Sequence, residues 1–267
     1  MSPSWQLKSS DGVEYFEFSP TPRLLLAFFT RIGGVSRGDY ESLNTSYQVG
    51  DKDYCVEENL ERARRVLGLS AIVTFRQTHS DATQSVDEAG FPSSVLERDA
   101  FFTSRAGLGL GLRVADCLPV YLYAADLTCV GVAHCGWRGT AARLAEKTAR
   151  QMSRNYSVPL KEMRFALGPC ICPRCYEVGE DVRTEFRRSL ANADQFFAPV
   201  TRTVPARQPP FAEYLLDIAA ANRWLLTELG LTEVPSLSLC TFEDYKLFYS
   251  ARRDKTTGRN LAVIALR

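Results

Sequence analysis

GLGLGLRVADCLPVYLYAADLTCVGVAHC, residues 107–135, contains three apolar runs that predict three consecutive β-strands. The first two runs, GLGLGLRV and CLPVYLYA, meet at residues 115–117, and the third, TCVGVAHC, ends near His134. In a doubly wound parallel sheet, helices connect the strands, so strands that follow one another directly disfavour that architecture. The stretch therefore predicts a mixed α/β or α+β fold.

The rest of the chain alternates strand patterns with helical patterns. Apolar and β-branched runs predict further strands at 14–18, 24–30, 72–80, 98–104, 163–170, 236–240, 246–252 and 261–266. Apolar residues at helical spacing predict helices at 56–69, 138–152, 180–190 and 215–230. The proline-rich segment 201–210 predicts a long exposed loop, because proline fits neither a strand ladder nor a helix interior.

The composition is that of a soluble globular protein. The chain has 267 residues, 45% of them hydrophobic and 24% charged, with a formal net charge of +1. This charge gives no electrostatic reason to expect nucleic acid or a membrane as a partner. The N-terminus lacks the basic and apolar regions of a signal peptide, and the early run LLLAFF is too short to span a bilayer. We therefore expect a cytoplasmic protein, with neither a nucleic-acid nor a membrane partner.

Eight cysteines and two histidines supply the reactive side chains. In a cytoplasmic chain, cysteines are expected as buried thiols, metal ligands or nucleophiles rather than disulfides. His79, Cys117 and His134 all fall at predicted strand ends, which a sheet can bring close together. Two imidazoles and one thiolate would leave a fourth tetrahedral position open, as in a catalytic zinc site.

Two other uses of these residues stay open. Cys117 could act as a nucleophile with a histidine as its base. Asp116, directly before it, would raise the thiol pKa and so mildly favours the metal. A multicopper centre is implausible because it requires many imidazoles, although a copper ion is possible. The zinc-deaminase pattern H-x-E followed by P-C-x-x-C is absent.

Further groups could bind a metal or an anion. CICPRC, residues 170–175, places Cys172 and Cys175 at metal-knuckle spacing, but the sequence offers no second pair, so buried thiols near a turn are the default. Arg31 precedes two glycines, and Arg138 opens a predicted helix where backbone N–H groups could receive phosphate. Arg252 and its neighbour Arg253 are further anion-binding candidates, with solvated surface arginines as the alternative.

Six sequence blocks, in order, resemble the YfiH-like family. Its members have been called laccase-domain or polyphenol oxidase proteins, peptidoglycan editing factors and purine nucleoside phosphorylases. The similarity runs from about residue 27 to the C-terminus. The blocks are TRIGGVSRGDYESLNTSYQVGD, RQTHSD, VADCLPVYLYA, AHCGWRGTAA, LGPCICPRCYEVGEDV and CTFEDYKLFYSARRDKTTGR.

The resemblance implies a single domain, residues 1–267, with a layered α/β/β/α sandwich and a mixed β core. It implies a metal site, usually zinc, on His79, Cys117 and His134, which are also the implied catalytic residues. Substrate-binding residues are predicted within the matched blocks: Arg31, Asn44, Gln77, Asp116 and Arg138. Cys135 stands where the family often has alanine, which raises the question of which sulfur a metal would select.

The implied activity is zinc-dependent phosphorolysis of purine nucleosides, with adenosine deamination beside it. The expected substrates are phosphate and adenosine, inosine, guanosine or S-methyl-5′-thioadenosine. Two rivals belong to other classes: an amide hydrolase acting on cell-wall precursors through Cys117 or zinc, and a protein that binds without catalysis. A polyphenol oxidase is a weaker alternative, because a chain with two histidines cannot hold a multicopper centre.

Overall fold

The computed structural model of the chain describes residues 4–87, 97–201 and 213–267. Strands in these ranges form three sheets. The strands are β1 (Gln6–Ser10), β2 (Val13–Thr21), β3 (Leu24–Phe29), β4 (Ala71–Val73), β5 (Thr83–Ser85), β6 (Ala100–Thr103), β7 (Leu108–Val114), β8 (Leu118–Ala124), β9 (Val130–Cys135), β10 (Met163–Leu167), β11 (Glu177–Val178), β12 (Phe197–Pro199), β13 (Tyr214–Leu216), β14 (Thr232–Glu233) and β15 (Asn260–Leu266). The α-helices are α1 (Asp53–Leu67), α2 (Trp137–Ala141), α3 (Leu144–Tyr156), α4 (Glu180–Ser189) and α5 (Ile218–Glu228).

Two six-stranded sheets form the centre of the fold. The first sheet has the order β1-β2-β3-β15-β7-β4, and the second has the order β14-β10-β8-β9-β6-β5. Most neighbours are antiparallel, but β4, β5 and β14 each run parallel to their neighbour. A small sheet, β11-β13-β12, lies apart from them. The β core is therefore mixed, as expected.

Alternating residues of each strand build the layers. Leu26 and Phe28 of β3 join one core cluster with Val132 of β9, so the two sheets face each other. The intervening residues of β3 pack instead against Ala63 and Leu67 of α1. The outer face of the second sheet is covered by residues of α2, α3, α4 and α5. The predicted α/β/β/α sandwich is confirmed.

Glycines in β7 leave room on one face of the first sheet for the loop after α1 and for side chains of β4. Leu108, Leu110 and Leu112 point into the core between the sheets. On the other face, a Cβ at Gly109 would lie 2.8 Å from a methyl group of Leu69, and one at Gly111 would be equally close to Ile72. The repeat GLGLGL thus fits a strand with bulky packing on one face and close backbone approach on the other.

Three of the strand predictions were wrong, in whole or in part. The strand at 72–80 ends at Val73; Arg76 makes one isolated bridge, and the chain at 78–80 turns around a buried carboxylate described below. Segment 236–240 makes one isolated bridge, and segment 246–252 forms no strand because the Asn260 side chain takes the hydrogen bond of the Tyr249 amide. The helix at 138–152 is interrupted at Arg143, which has a left-handed φ of 59°.

The predicted loop at 201–210 falls, apart from its first residue, outside the described residues. Within the described ranges, no helix combines the length and apolar character needed to cross a membrane.

Candidate active site

Strand pairing brings Cys117 and His134 to one end of the second sheet. Cys117 directly precedes β8, and in the antiparallel β8–β9 pair Pro119 lies opposite His134. The next residue along the chain from β9 is Gly136. A Cβ at Gly136 would lie 2.9 Å from Cys117 Sγ and 3.2 Å from His79 Cδ2. A side chain at this position would crowd Cys117 and His79, so glycine leaves room for the three side chains to come together.

His79 reaches the same place through a turn around Asp99. The backbone N–H groups of Thr78, His79 and Ser80 donate to the Asp99 carboxylate at 3.1, 3.1 and 2.7 Å. His79 adopts a left-handed φ of 60° in this turn. Asp99 directly precedes β6, the neighbour of β9, and its carbonyl accepts the His134 amide at 2.7 Å. One buried carboxylate thus holds both histidines.

The three side chains form a group able to hold a metal ion. His79 Nε2 lies 3.7 Å from Cys117 Sγ, and one ligand atom from each residue lies within 4.8 Å of the others. His134 Nδ1 donates to Asp99 Oδ1 at 2.8 Å, which leaves His134 Nε2 for a metal. A carboxylate that accepts the second ring N–H of a ligating histidine is a usual feature of metal sites, because it fixes the tautomer and the ring orientation.

Opposite charges within this group shift the pKa values of Cys117, His134 and Asp99 when no metal is bound. Burial opposes the charged form of Cys117, but the positive charge of His134 and the hydrogen bonds from His134 and His79 together outweigh it and lower the thiol pKa to about 6. Burial likewise disfavours protonated His134, but the Cys117 thiolate and the Asp99 carboxylate raise its pKa to about 9. Burial would raise the pKa of Asp99, yet hydrogen bonds from His134 and Ser80 hold it at about 2.

Cys135 does not compete for this position. It is fully buried in the core on the helix-covered face of the second sheet, and burial raises the pKa of its thiol. The neighbouring sulfur that faces His79 is that of Cys117. Cys135 is therefore a core packing residue.

The group opens into a cavity of about 460 Å³, here called the active-site cavity. Its charged lining outside the three metal-binding side chains comprises four arginines and one carboxylate, so it favours an anionic ligand. The lining residues are Ser46, Gln48, Val49, Gln77, His79, Arg113, Ala115, Asp116, Cys117, His134, Trp137, Arg138, Ile171, Tyr176, Ala251, Arg252 and Arg259.

Three of the five predicted substrate-binding residues line this cavity. The Gln77 side-chain amide exchanges hydrogen bonds with the backbone of Arg113, so it holds the cavity wall. The Asp116 carboxylate accepts from the Thr241 hydroxyl and from the Arg252 amide, each at 2.7 Å. The Arg138 guanidinium lies over the Trp137 ring, 4.1 Å from its centroid.

Arg31 and Asn44 lie outside the lining. Arg31 donates to the carbonyl of Glu41 at 2.8 Å and stacks over Tyr249. Asn44 is buried, and its Oδ1 accepts the amides of Ser46 and Arg259 at 3.1 and 2.9 Å. Asn44 therefore positions two residues that do line the cavity.

Sequence reasoning missed several residues of the site. Asp99 had a visible signal, a lone acid at the start of the buried run AFFT, but nothing in the sequence linked it to His79 or His134. Arg113 and Arg259 were missed because one lies in an apolar strand and the other in a loop far along the chain. Of the neighbours Arg252 and Arg253, the first lines the cavity, whereas the second donates to the carbonyls of Thr241, Phe242 and Phe248.

Known proteins are similar to this chain in both sequence and fold. A family model described as multi-copper polyphenol oxidoreductase laccase matches residues 25–267. The purine nucleoside phosphorylase YlmD of Bacillus subtilis is 31% identical over 91% of this chain and 89% of its own length. Adenosine deaminase RL5, from an unknown prokaryotic organism, is 30% identical over 90% of this chain and 93% of its own length.

A solved structure has the same architecture. The crystal structure of the YfiH protein of Bacillus licheniformis superposes with a TM-score of 0.87 at 30% identity. The superposition covers 98% of this chain and 99% of the other.

Proposed function

We propose that this chain, which belongs to the family described as multi-copper polyphenol oxidoreductase laccase, is a zinc-dependent purine nucleoside phosphorylase that also deaminates adenosine. The support is that relatives similar over most of its length are named purine nucleoside phosphorylase and adenosine deaminase. The substrates would be phosphate and a purine nucleoside: adenosine, inosine, guanosine or S-methyl-5′-thioadenosine. The observation that carries the proposal is the convergence of His79, Cys117 and His134 on a cavity lined by four arginines.

The donor set supports zinc as the metal. His79 Nε2, Cys117 Sγ and His134 Nε2 would hold it, and imidazole with thiolate is a usual zinc environment. When bound, zinc supplies a Lewis acid and acidifies water at an open position. The two histidines of the chain are too few for a multicopper centre, which argues against the oxidase chemistry in the family description.

The cavity suits a nucleoside and an anion together. Its volume of about 460 Å³ lies in the usual range of small-molecule sites, roughly 300–1,000 Å³. Arg113, Arg138, Arg252 and Arg259 provide positive charge for phosphate, and Trp137 with Tyr176 provides aromatic surface for a purine. Because four guanidinium groups outnumber the single carboxylate, the cavity attracts an anionic reactant. This favours phosphorolysis, in which phosphate attacks, over a reaction with neutral water alone.

In phosphorolysis the chain's own residues bind and orient two partners. A phosphate oxygen forms a bond to ribose C1′, and the glycosidic bond breaks with its electron pair on the purine, which takes up a proton. The products are ribose 1-phosphate and the free base. The arginines hold the phosphate and balance its charge while the C1′–N bond breaks. Asp99 keeps His134 oriented through the 2.8 Å hydrogen bond.

Adenosine deamination is the second candidate, favoured by the histidine–cysteine–histidine set. It replaces the 6-amino group of the purine with oxygen from water and releases ammonia. Asp116 is held in place by the protein, because both of its carboxylate oxygens accept hydrogen bonds, from the Thr241 hydroxyl and the Arg252 amide. His79, the exposed member of the set, is the group most accessible to a substrate.

The test is to incubate the zinc-loaded protein with adenosine, with and without phosphate, and to separate the products chromatographically. Phosphate-dependent adenine with ribose 1-phosphate supports phosphorolysis, and inosine supports deamination. Inosine alone would reject phosphorolysis. Turnover of a mis-charged muramyl precursor, with none of any purine nucleoside, would favour the cell-wall amide hydrolase instead.

A further inference from the structure

Three cysteine sulfurs and one carboxylate meet next to the active-site cavity. One ligand atom from each of Cys172, Cys175, Cys240 and Glu243 lies within 4.8 Å of all the others. We propose that these four side chains bind a second zinc ion, which has a structural role. None of the four lines the active-site cavity, and the proposed site shares no ligand with the first.

Two separations between ligand atoms match tetrahedral coordination. With Zn–S bonds of about 2.3 Å, tetrahedral geometry places two sulfurs about 3.8 Å apart, and a sulfur and a carboxylate oxygen about 3.5 Å apart. The Sγ atoms of Cys172 and Cys175 are separated by 3.6 Å, and Cys175 Sγ lies 3.5 Å from Glu243 Oε1. Small rotations of these side chains would suffice to receive the ion.

Neighbouring groups already orient two of the ligands. Arg174 donates to both carboxylate oxygens of Glu243, at 2.7 Å to Oε2 and 3.3 Å to Oε1, and Oε1 also lies 3.5 Å from Cys175 Sγ. The Cys172 amide donates to Cys240 Sγ at 3.3 Å. These contacts resemble the outer hydrogen bonds that orient metal ligands, with an arginine to balance part of the ligand charge.

The donor types select among metals. Thiolates favour zinc, copper(I) and iron–sulfur clusters over the hard cations. The fourth donor is a carboxylate oxygen, which zinc accepts readily, whereas copper(I) prefers soft sulfur ligands. A closed set of four protein ligands is typical of structural zinc sites, while catalytic sites retain an open position.

The site would join two segments that build the wall of the active-site cavity. Cys170 and Cys240 form an isolated parallel bridge, and the Thr241 amide donates to the Cys170 carbonyl at 3.1 Å. Ile171 and Tyr176, on either side of the ligands Cys172 and Cys175, line the cavity. A metal ion here would cross-link residues 172–175 to residues 240–243 where few backbone hydrogen bonds do so.

The experiment measures the zinc content of the full-length, zinc-loaded protein and its variants by mass spectrometry. In the Cys117→Ala background, which lacks a ligand of the first site, we expect one zinc ion to remain. Adding Cys172→Ser should remove it and lower the Tm by several degrees. Cys170→Ala is the matched control, because this adjacent buried thiol is not among the four ligands, and it should retain the zinc.

Glu243→Gln keeps the proposal testable if a cysteine variant fails to fold, since Glu243 is exposed. It should weaken zinc retention against a chelator at least tenfold, with the fold intact by circular dichroism. Unchanged zinc content in both Cys172→Ser and Glu243→Gln would overturn the proposal. A non-reduced mass lighter by two hydrogens, from a disulfide between Cys172 and Cys175, would also overturn it.

Discussion

His134 Nδ1 donates to Asp99 Oδ1 across 2.8 Å, and the same carboxylate accepts the amide of His79. A residue outside both the cavity lining and the proposed metal-binding group thus sets the position of two proposed metal ligands. The site depends on the turn around Asp99 as much as on the ligands themselves.

Asp99→Asn should weaken zinc binding at the first site about 10- to 100-fold, the usual cost of losing such an outer partner. The new amide nitrogen cannot accept the backbone N–H groups that now meet both carboxylate oxygens. The measurement is zinc competition against a chelator. Asp87→Asn is the matched control, because this carboxylate holds Ser104 and Tyr156 away from the site. It should lower stability without changing zinc affinity. Equal losses in the two variants would contradict the prediction.

Cys117 should be a thiolate at neutral pH in the metal-free protein. Its pKa is lowered to about 6, so alkylation by iodoacetamide should be half-maximal near pH 6 and should fall as pH drops through that value. An ordinary thiol would show the same rise near pH 8.5. Peptide mapping identifies the modified residue, and Cys117→Ala removes the signal. A midpoint near that of a free thiol would refute the prediction. Zinc should protect Cys117 from the reagent.

Gly136→Ala should disrupt the first metal site while leaving the fold in place. The added Cβ would lie 2.9 Å from Cys117 Sγ, closer than real Cβ contacts allow. We expect a loss of zinc affinity of at least tenfold. Gly179→Ala serves for comparison, since its Cβ would meet only the movable Asp181 carboxylate. If both alanine variants bind zinc like the wild type, the close approach at Gly136 does not matter.

Arg138→Ala should raise the KM for phosphate about 10- to 100-fold, because hydrogen bonds to charged groups contribute about 1.5–3 kcal/mol. The KM for the nucleoside should change less. Arg150→Ala removes a guanidinium of α3 that pairs with Glu146, outside the active-site cavity, and provides the control. An unchanged phosphate KM in Arg138→Ala would assign phosphate binding to the other cavity arginines.

The mixed α/β class and the three proposed metal ligands could be predicted from local sequence patterns, whereas the layered α/β/β/α sandwich was implied by the family resemblance. Period-2 apolar runs predicted β7, β8 and β9 in a row, and strand ends predicted that Cys117 and His134 would be close. The roles assigned to individual site residues, and the extent of a single domain over residues 1–267, stay predictions.

The remainder could not be predicted because it depends on contacts between distant segments. Asp99 acts through three amides of a turn that interrupts a strand-like pattern. The sequence did not reveal further metal ligands for Cys172 and Cys175, because Cys240 and Glu243 come from a loop far along the chain. Segment 246–252 has the composition of a strand, but the Asn260 side chain occupies the amide of Tyr249.

The position of β15 has a consequence for synthesis on the ribosome. This strand lies between β3 and β7, and Ala262 pairs with Phe28, so the first sheet is split until β15 emerges. Until β15 is made, β3 and β7 each carry an unpaired edge, a state prone to pairing with other chains. Deleting Asn260–Leu266 should therefore cause aggregation rather than merely lower stability, and a nascent chain stalled before β15 should depend on chaperones.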